Sequence, residues 1–215
     1  MFFLINGAVF RDAIISAANN IDKHKTEVDS LNVFPVPDGD TGTNMAMTLS
    51  AAAREVSLLD DSCDIQAVSE CVASALLRGA RGNSGVITSL IFRGISHGFK
   101  GKTEADGVTL ASALSNGVSA AYKAVMKPTE GTILTVVREA AQQANAACKS
   151  ENEPVKVFAA AFSSAKDALA KTPDMLPVLK KAGVVDAGGQ GLVFIFEGML
   201  SVFENGKIVD GSTSA

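Results

Sequence analysis

The sequence contains no tryptophan and a single tyrosine, and aromatic residues make up only 6% of its 215 positions. Sheet proteins rely on aromatic and β-branched side chains. The hydrophobic fraction here is 47% and is rich in alanine, which suits closely packed helices. The composition therefore favours an all-α protein, and the length favours a single domain.

Concentrated positive charge is also missing. Lys and Arg number 19 against 23 Asp and Glu, for a formal net charge of -4, and the cations are scattered. We therefore expect no nucleic-acid partner. The apolar opening at 1–5 is too short for a signal peptide or a membrane span. The three cysteines form no CxxC pair, which argues against a zinc site or a disulfide framework. Together these features predict a cytoplasmic protein without membrane insertion.

Apolar residues recur at helical spacing along most of the chain. Clear stripes run from Phe10 to Ile21 and from Leu110 to Val125. Similar patterns cover 44–56, 65–77, 83–95, 132–148, 155–171 and 190–203, with a short piece near 175–181. The pattern predicts about eight amphipathic helices and almost no strand. We expect one domain over 1–209, followed by a polar C-terminal end at 210–215.

An acidic loop lies between the first two predicted helices, within 32–45. Two prolines stiffen the backbone before the acids and two glycines permit turns around them. Asp38 and Asp40 could therefore converge on one point. Mg²⁺ commonly uses one or two carboxylates and completes its shell with substrate phosphates. The loop is thus a candidate magnesium site.

Two other interpretations of this loop deserve weight. A calcium EF-hand requires Gly at the sixth position and Glu at the twelfth, but counting from Asp38 gives Thr43 and Leu49, so that motif is excluded. The second interpretation is that the acids only end a loop, while Thr41 or Thr43 caps the next helix. The pattern of residues alone leaves this interpretation open.

Three glycine-rich loops each open a predicted helix, at 79–85, 127–132 and 186–191. Unpaired N–H groups and the helix dipole make such a terminus a favourable place for phosphate. Ser84 adds a hydroxyl donor there. Each loop alone could equally be a tight interhelical turn. The segment 96–103 imitates a Walker A loop, but it lacks the leading glycine and follows a helical pattern, so we exclude it.

These motifs occur together in one known family. The segment 32–45, read with 79–85, 126–134 and 183–191, resembles the N-terminal domain of bacterial fatty acid kinase A, and the resemblance covers nearly the whole chain. More distantly it is similar to the ADP-binding L subunit of dihydroxyacetone kinases. The resemblance implies a barrel of eight antiparallel helices that holds ATP and Mg²⁺ ions in loops at one end.

The resemblance also implies roles for individual residues. Asp38 and Asp40 would be metal ligands with a catalytic role, and Asn32 stands nearest the place of a third acid in the dihydroxyacetone kinases. The phosphates or metal-bound water would contact Thr41, Thr43, Asn44 and Ser84. The nucleotide would be surrounded by Gly82, Asn83, Thr132, Asp186 and Gly188.

The resemblance implies a reaction in which a fatty acid, carried by a DegV-like protein, takes the γ-phosphate of ATP. Middle and C-terminal domains accompany the N-terminal domain in that family, so the isolated domain is not expected to turn over. A homodimer is a further partner hypothesis. Two alternatives remain at this point. One is a dihydroxyacetone kinase subunit that keeps ADP as a coenzyme, and the other is a non-catalytic nucleotide-sensing module.

Overall fold

The structure, a computed structural model, describes residues 4–211. Eight long helices and one short helix occupy most of that range. They are α1 Gly7–Ser30, α2 Thr41–Val56, α3 Ile65–Gly79, α4 Gly82–Gly98, α5 Gly107–Ala124, α6 Ile133–Ala147, α7 Pro154–Met175, α8 Pro177–Ala182 and α9 Ala187–Asn205. Within 4–211 the strands are β1 Ile5–Asn6 and β2 Glu104–Ala105, which pair antiparallel. The predicted all-α fold is confirmed.

The long helices close into a ring. Each packs against the next along the chain from α1 to α7, and α9 packs against both α7 and α1. The short α8 connects α7 to α9 and ends at Gly183, whose φ of 70° is left-handed. Such a φ favours glycine because a Cβ would be strained there. The result is a helical barrel rather than an open layer.

Phenylalanine and small aliphatic side chains fill the barrel. Phe10 meets Phe99 edge to face at 5.5 Å between ring centroids, and Phe158 contacts both Phe196 and Phe203. Glycine permits close helix contact, because a Cβ on Gly198 of α9 would lie 2.8 Å from the backbone of α1. The buried aromatic rings and the small contact residues together explain how so many short side chains give a dense core.

The ring alternates in direction, which positions the site. Residues at the starts of α2, α4, α6 and α9 all line one pocket, so every second helix begins at the same end of the barrel. Four helix N-termini therefore converge there, and the connections that precede them form the pocket wall.

The helix bounds differ from the sequence expectation at both ends: α1 continues to Ser30, nine residues beyond the predicted stripe, and α7 continues to Met175, four residues beyond its pattern. The structure begins α2 at Thr41 and α9 at Ala187, each three residues before the predicted start. No helix in the part of the chain that the structure describes is long and apolar enough to cross a membrane. We made predictions for both ends of the chain. The described range leaves out residues 1–3 and 212–215 at those ends.

Candidate functional site

A pocket of about 580 Å³ opens at the end of the barrel where α2, α4, α6 and α9 begin. This is within the usual size range of small-molecule sites. Nearly all the residues that the sequence nominated line it together: Asn32, Asp38, Asp40, Thr41, Asn44, Gly82, Asn83, Ser84, Thr132, Asp186 and Gly188. Five separate segments of the chain contribute these residues. Thr43 is the nominated residue that the structure does not bring to the pocket.

The two candidate metal ligands lie on the connection between α1 and α2. Asp38 is exposed at the pocket wall, and its Oδ1 accepts a hydrogen bond of 2.7 Å from Nδ2 of the buried Asn32. Asp40 occupies the N-cap position of α2, yet its side chain makes no capping hydrogen bond. Its carboxylate is therefore not committed to the helix, which counts against the interpretation that the acids serve only as caps.

Another acid does the capping that Asp40 omits. Asp29, near the end of α1, accepts the backbone N–H of Thr43 at 3.0 Å and the Thr43 hydroxyl at 2.7 Å. Since both Thr43 donors are directed to Asp29, Thr43 joins α1 to α2 and is turned away from the pocket. No local pattern signals this contact, because the partners are fourteen positions apart.

The starts of α2 and α4 lie side by side. The Ser84 hydroxyl on α4 donates to the Thr41 carbonyl oxygen at 3.4 Å, which joins the two termini. Arg81, the N-cap residue of α4, makes no side-chain capping bond. The first N–H groups of an uncapped helix have no partner inside it, and they attract anions together with the helix dipole. This side of the pocket suits phosphate groups.

The starts of α6 and α9, by contrast, carry side-chain caps. Thr132 Oγ1 accepts the Leu134 N–H at 3.4 Å, and Asp186 Oδ2 accepts the Gly189 N–H at 2.7 Å. Asp186 is 5% exposed. Burial raises its pKa to about 6, although the backbone N–H groups of Gly189 and Ile133 act in the lowering direction. Asp186 is thus a buried acid within the pocket wall.

The loop between α5 and α6 contributes more residues to the pocket than the sequence predicted. Lys127 and Thr129 also line the pocket, and Lys127 is the basic side chain among its described lining residues. A network holds this loop in place: Glu130 accepts bonds from Tyr122, Thr135 and Arg138, the last at 2.7 Å. Burial opposes ionisation of Glu130, but these donors outweigh it and its pKa is lowered. The lysine could have been found as the cation within a glycine loop.

Apolar side chains line the pocket beside the polar loops. Val86, Ile87 and Leu90 come from α4, while Val125, Ile133 and Leu134 come from the α5–α6 region. An apolar wall facing a few polar groups is typical of a ligand site, and a flat aromatic base would fit such a wall.

The donor set fits a hard cation. Asp38 and Asp40 supply carboxylate oxygens, and Asn32 supplies an amide beside Asp38. Two carboxylates meet the protein share of a typical Mg²⁺ site, with phosphate oxygens completing the shell. Within 4–211 no group of three or more His, Cys, Asp or Glu residues could hold a metal alone. A metal here would therefore depend on its ligand's oxygens.

A family model for the DAK2 domain matches residues 35–201. This chain belongs to the DAK2 domain family. The matched region begins within the acidic loop and contains all of the glycine-rich loops, so the recognition made from the sequence motifs is confirmed.

Curated relatives of the DAK2 domain are much longer than this chain. Protein YloV of Bacillus subtilis is 47% identical over 197 residues, covering 92% of this chain and 35% of YloV. An uncharacterized protein of Staphylococcus aureus strain USA300 is 44% identical over 208 residues, covering 97% of this chain and 38% of that protein. The chain thus spans little more than a third of these relatives.

Solved structures show the same fold. The dihydroxyacetone kinase of C. freundii in its native form has a TM-score of 0.61 at 21% identity, over 90% of this chain and 34% of that one. The same kinase in complex with AMP-PNP and Mg²⁺ gives a TM-score of 0.63 at 19% identity, over 89% and 33% respectively. Each likeness shows that this chain shares the helical fold of part of that kinase.

Proposed function

We propose that this DAK2 domain binds Mg²⁺-ATP for a kinase that phosphorylates fatty acids, supplied by a DegV-like carrier protein, to acyl phosphates. One observation carries the proposal. The carboxylates of Asp38 and Asp40, neither of which caps α2, line the same pocket as the start of α4, whose N-cap residue makes no side-chain capping bond. Metal ligands and phosphate donors are thereby adjacent, as a nucleotide triphosphate requires.

The relatives support the nucleotide and the metal more strongly than the acceptor. A kinase of the same fold has been solved with AMP-PNP and Mg²⁺. By analogy, Asp38 and Asp40 would hold Mg²⁺, with Asn32 beside them. Thr41, Asn44, Gly82, Asn83 and Ser84 would lie around the phosphates. The fatty acid acceptor rests on the resemblance of the loop motifs to fatty acid kinase A.

A carboxylate acceptor agrees with the side chains of the pocket. It is already ionised near neutral pH, so the transfer requires alignment and charge neutralisation but no strong base. Among the residues that the structure describes, those lining the pocket include no histidine, and the remaining acid, Asp186, is buried as a helix cap. Mg²⁺, when bound, would neutralise phosphate charge. Lys127 would add a second positive charge from the facing loop.

A second candidate follows from the likeness to dihydroxyacetone kinase. In that case the domain would retain ADP as a coenzyme that is re-phosphorylated in place, instead of exchanging it for ATP in each cycle. A third candidate, nucleotide sensing without transfer, predicts binding but no product. We also propose that middle and C-terminal domains are partners of this domain, that it forms a homodimer, and that the protein is cytoplasmic.

The experiment uses a full-length protein that carries this domain, with ATP, Mg²⁺ and a carrier protein loaded with fatty acid. Hydroxylamine traps an acyl phosphate as the hydroxamate, which mass spectrometry detects. We expect hydroxamate to form together with released ADP. A parallel reaction supplies dihydroxyacetone in place of the fatty acid. Dihydroxyacetone phosphate formed there, with ADP retained on the protein, would instead establish the coenzyme mechanism, and Mg²⁺-ATP binding without product in either reaction would establish sensing.

A further inference from the structure

A second concave surface runs along the outside of the barrel. It lies over α4 between α3 and α5, and we name it the α4 groove. Its volume is about 910 Å³. The lining residues are Glu70, Ala73, Leu90, Arg93, Gly94, Ser96, His97, Lys100, Asn116, Ser119, Ala120, Lys123 and Ala124. None of them belongs to the set of residues nominated for the nucleotide.

The α4 groove concentrates positive charge on a chain whose formal net charge is -4. Arg93, Lys100 and Lys123 are exposed cations, and the exposed His97 lies between the first two in sequence. Glu70 is the acid among the described lining residues, and it accepts a hydrogen bond from Gln66 at 2.9 Å. Three cations against one acid make the α4 groove electropositive, which favours an anionic occupant.

The shape of the α4 groove indicates what kind of anion fits. Small side chains, including Ala73, Ser119 and Ala120, lie among the cations, so a rod-like element can approach closely. An α-helix is about 10 Å across, and one of its faces can lie lengthwise on these small side chains, between the cations.

Other polyanions fit this surface less well. A bilayer is flat on this scale and cannot follow a concave groove. Single-stranded nucleic acid binds by stacking on aromatic side chains as well as by charge, but the described lining residues include no aromatic ring. An acidic protein segment satisfies both the shape and the charge.

The α4 groove is continuous with the nucleotide pocket. Leu90 and Ala124 line both, and α4 passes from the phosphate side of the pocket at Ser84 into the groove at Arg93. We propose that the α4 groove docks an acidic helical segment of a partner protein, which is thereby held directly beside the nucleotide pocket. The proposal goes beyond nucleotide binding and does not depend on the identity of the phosphoryl acceptor.

A fluorescent peptide of alanine and glutamate, with the glutamates at helical spacing, serves as the probe. Fluorescence anisotropy measures its affinity for this chain at low salt. We expect saturable binding that weakens as salt rises, and at least a ~10-fold loss of affinity in the triple variant Arg93→Glu, Lys100→Glu, Lys123→Glu, because close like charges repel.

The matched control variant is Lys23→Glu, Lys149→Glu, Lys207→Glu, which makes the same charge change at three exposed lysines outside the α4 groove. It should bind the peptide as the wild type does. Melting temperature and Mg²⁺-ATP affinity check that both variants fold. If the groove variant fails to fold, the milder Arg93→Gln, Lys123→Gln variant replaces it, and it should also lose peptide affinity.

Three results would overturn the proposal. One is no saturable binding of the peptide to the wild type. Another is an equal loss of affinity in the groove variant and the control, which would mean that only overall charge matters. The third is binding to phosphatidylglycerol vesicles that depends on the α4 groove while the peptide does not bind, which would assign the surface to a membrane.

Discussion

Asp29 takes the capping role at the start of α2 and accepts the Thr43 N–H at 3.0 Å. A capping acid accepts the N–H of the second or third helical residue, and Thr43 is the third residue of α2. The acid at the N-cap position itself, Asp40, makes no such bond. Because Asp29 caps α2, the Asp40 carboxylate remains available to a ligand.

The Asp29–Thr43 contact predicts a purely structural role for the threonine hydroxyl. Thr43→Val should lower the free energy of unfolding by about 1 kcal/mol, the usual contribution of one hydrogen bond, and leave Mg²⁺-ATP affinity unchanged. Urea unfolding and calorimetric titration measure the two quantities. Thr43→Ser, which retains both donors, is the control. A marked loss of nucleotide affinity with unchanged stability would instead make Thr43 a phosphate contact.

Asn32 distinguishes this pocket from one with three acids. Asn32→Asp would replace the Nδ2 donor to Asp38 with a second carboxylate at a buried position. Without metal the like charges repel, so we expect a lower melting temperature. Mg²⁺ should then raise that temperature more than it does in the wild type. Asn32→Ala removes the donor without adding charge and should show no such gain. Equal metal responses in both variants would count against a ligand position at 32.

The raised pKa of Asp186 predicts an unusual pH dependence of the free energy of unfolding. Its folded pKa, about 6, lies above the ordinary value of 3.8, so the folded protein holds a proton that the unfolded chain releases between these values. Its contribution to the free energy of unfolding therefore falls as pH rises from about 4 to about 6, by roughly 3 kcal/mol at most, and is constant above. Asp186→Asn still caps α9 and should gain stability relative to the wild type across that range.

Asp106 provides the matched control for Asp186. It caps α5 by accepting the Thr109 N–H at 2.9 Å. Burial acts to raise its pKa, but the hydrogen bonds from Thr109 and Asn152 outweigh burial and lower it. The stabilisation it gives is present at neutral pH and is lost as pH falls through the folded pKa. Asp106→Asn should therefore be most destabilising at neutral pH. Parallel pH profiles for the two variants would contradict our account of Asp186.

The loop that carries Lys127 should depend on Glu130. Glu130→Ala removes the acceptor shared by Tyr122, Thr135 and Arg138. We expect Mg²⁺-ATP affinity to fall by about 1 kcal/mol, or roughly fivefold, because the loop loses its anchor. Glu139 also accepts from Arg138, at 2.9 Å, but it lies on α6 outside the loop. Glu139→Ala should therefore leave nucleotide affinity intact, and equal effects would refute the anchor.

The sequence predicted the helices well because the spacing of apolar residues shows directly which face of each helix is buried. The stripe at 110–125 corresponds to α5, Gly107–Ala124. Periodicity placed the starts of α2 and α9 poorly, because it does not report which groups cap a helix. The start of α2 is capped from α1, and the start of α9 lies among glycines that indicate a loop until Asp186 is seen to cap them. The Asp29–Thr43 contact spans fourteen positions and leaves no local pattern, whereas Asp186 caps Gly189 from only three positions away.

The candidate site was predicted in a similar, incomplete way. Loop motifs identified eleven nominated residues that the structure brings to one pocket, because glycine and acid clusters are legible in sequence. They could not reveal which donors the fold already uses. Thr43 was nominated for its hydroxyl, yet Asp29 accepts that hydroxyl. Lys127 was overlooked because its position across the pocket depends on how α5 and α6 pack.

Titration of ATP with and without Mg²⁺, followed by calorimetry, tests the metal at Asp38 and Asp40 most directly. We predict that Mg²⁺ strengthens ATP binding to the wild type and to the Asp167→Asn, Asp210→Asn control, which removes two exposed acids outside the pocket. The strengthening should vanish in Asp38→Asn, Asp40→Asn. If that double variant keeps the full Mg²⁺ enhancement, the two carboxylates do not hold the metal.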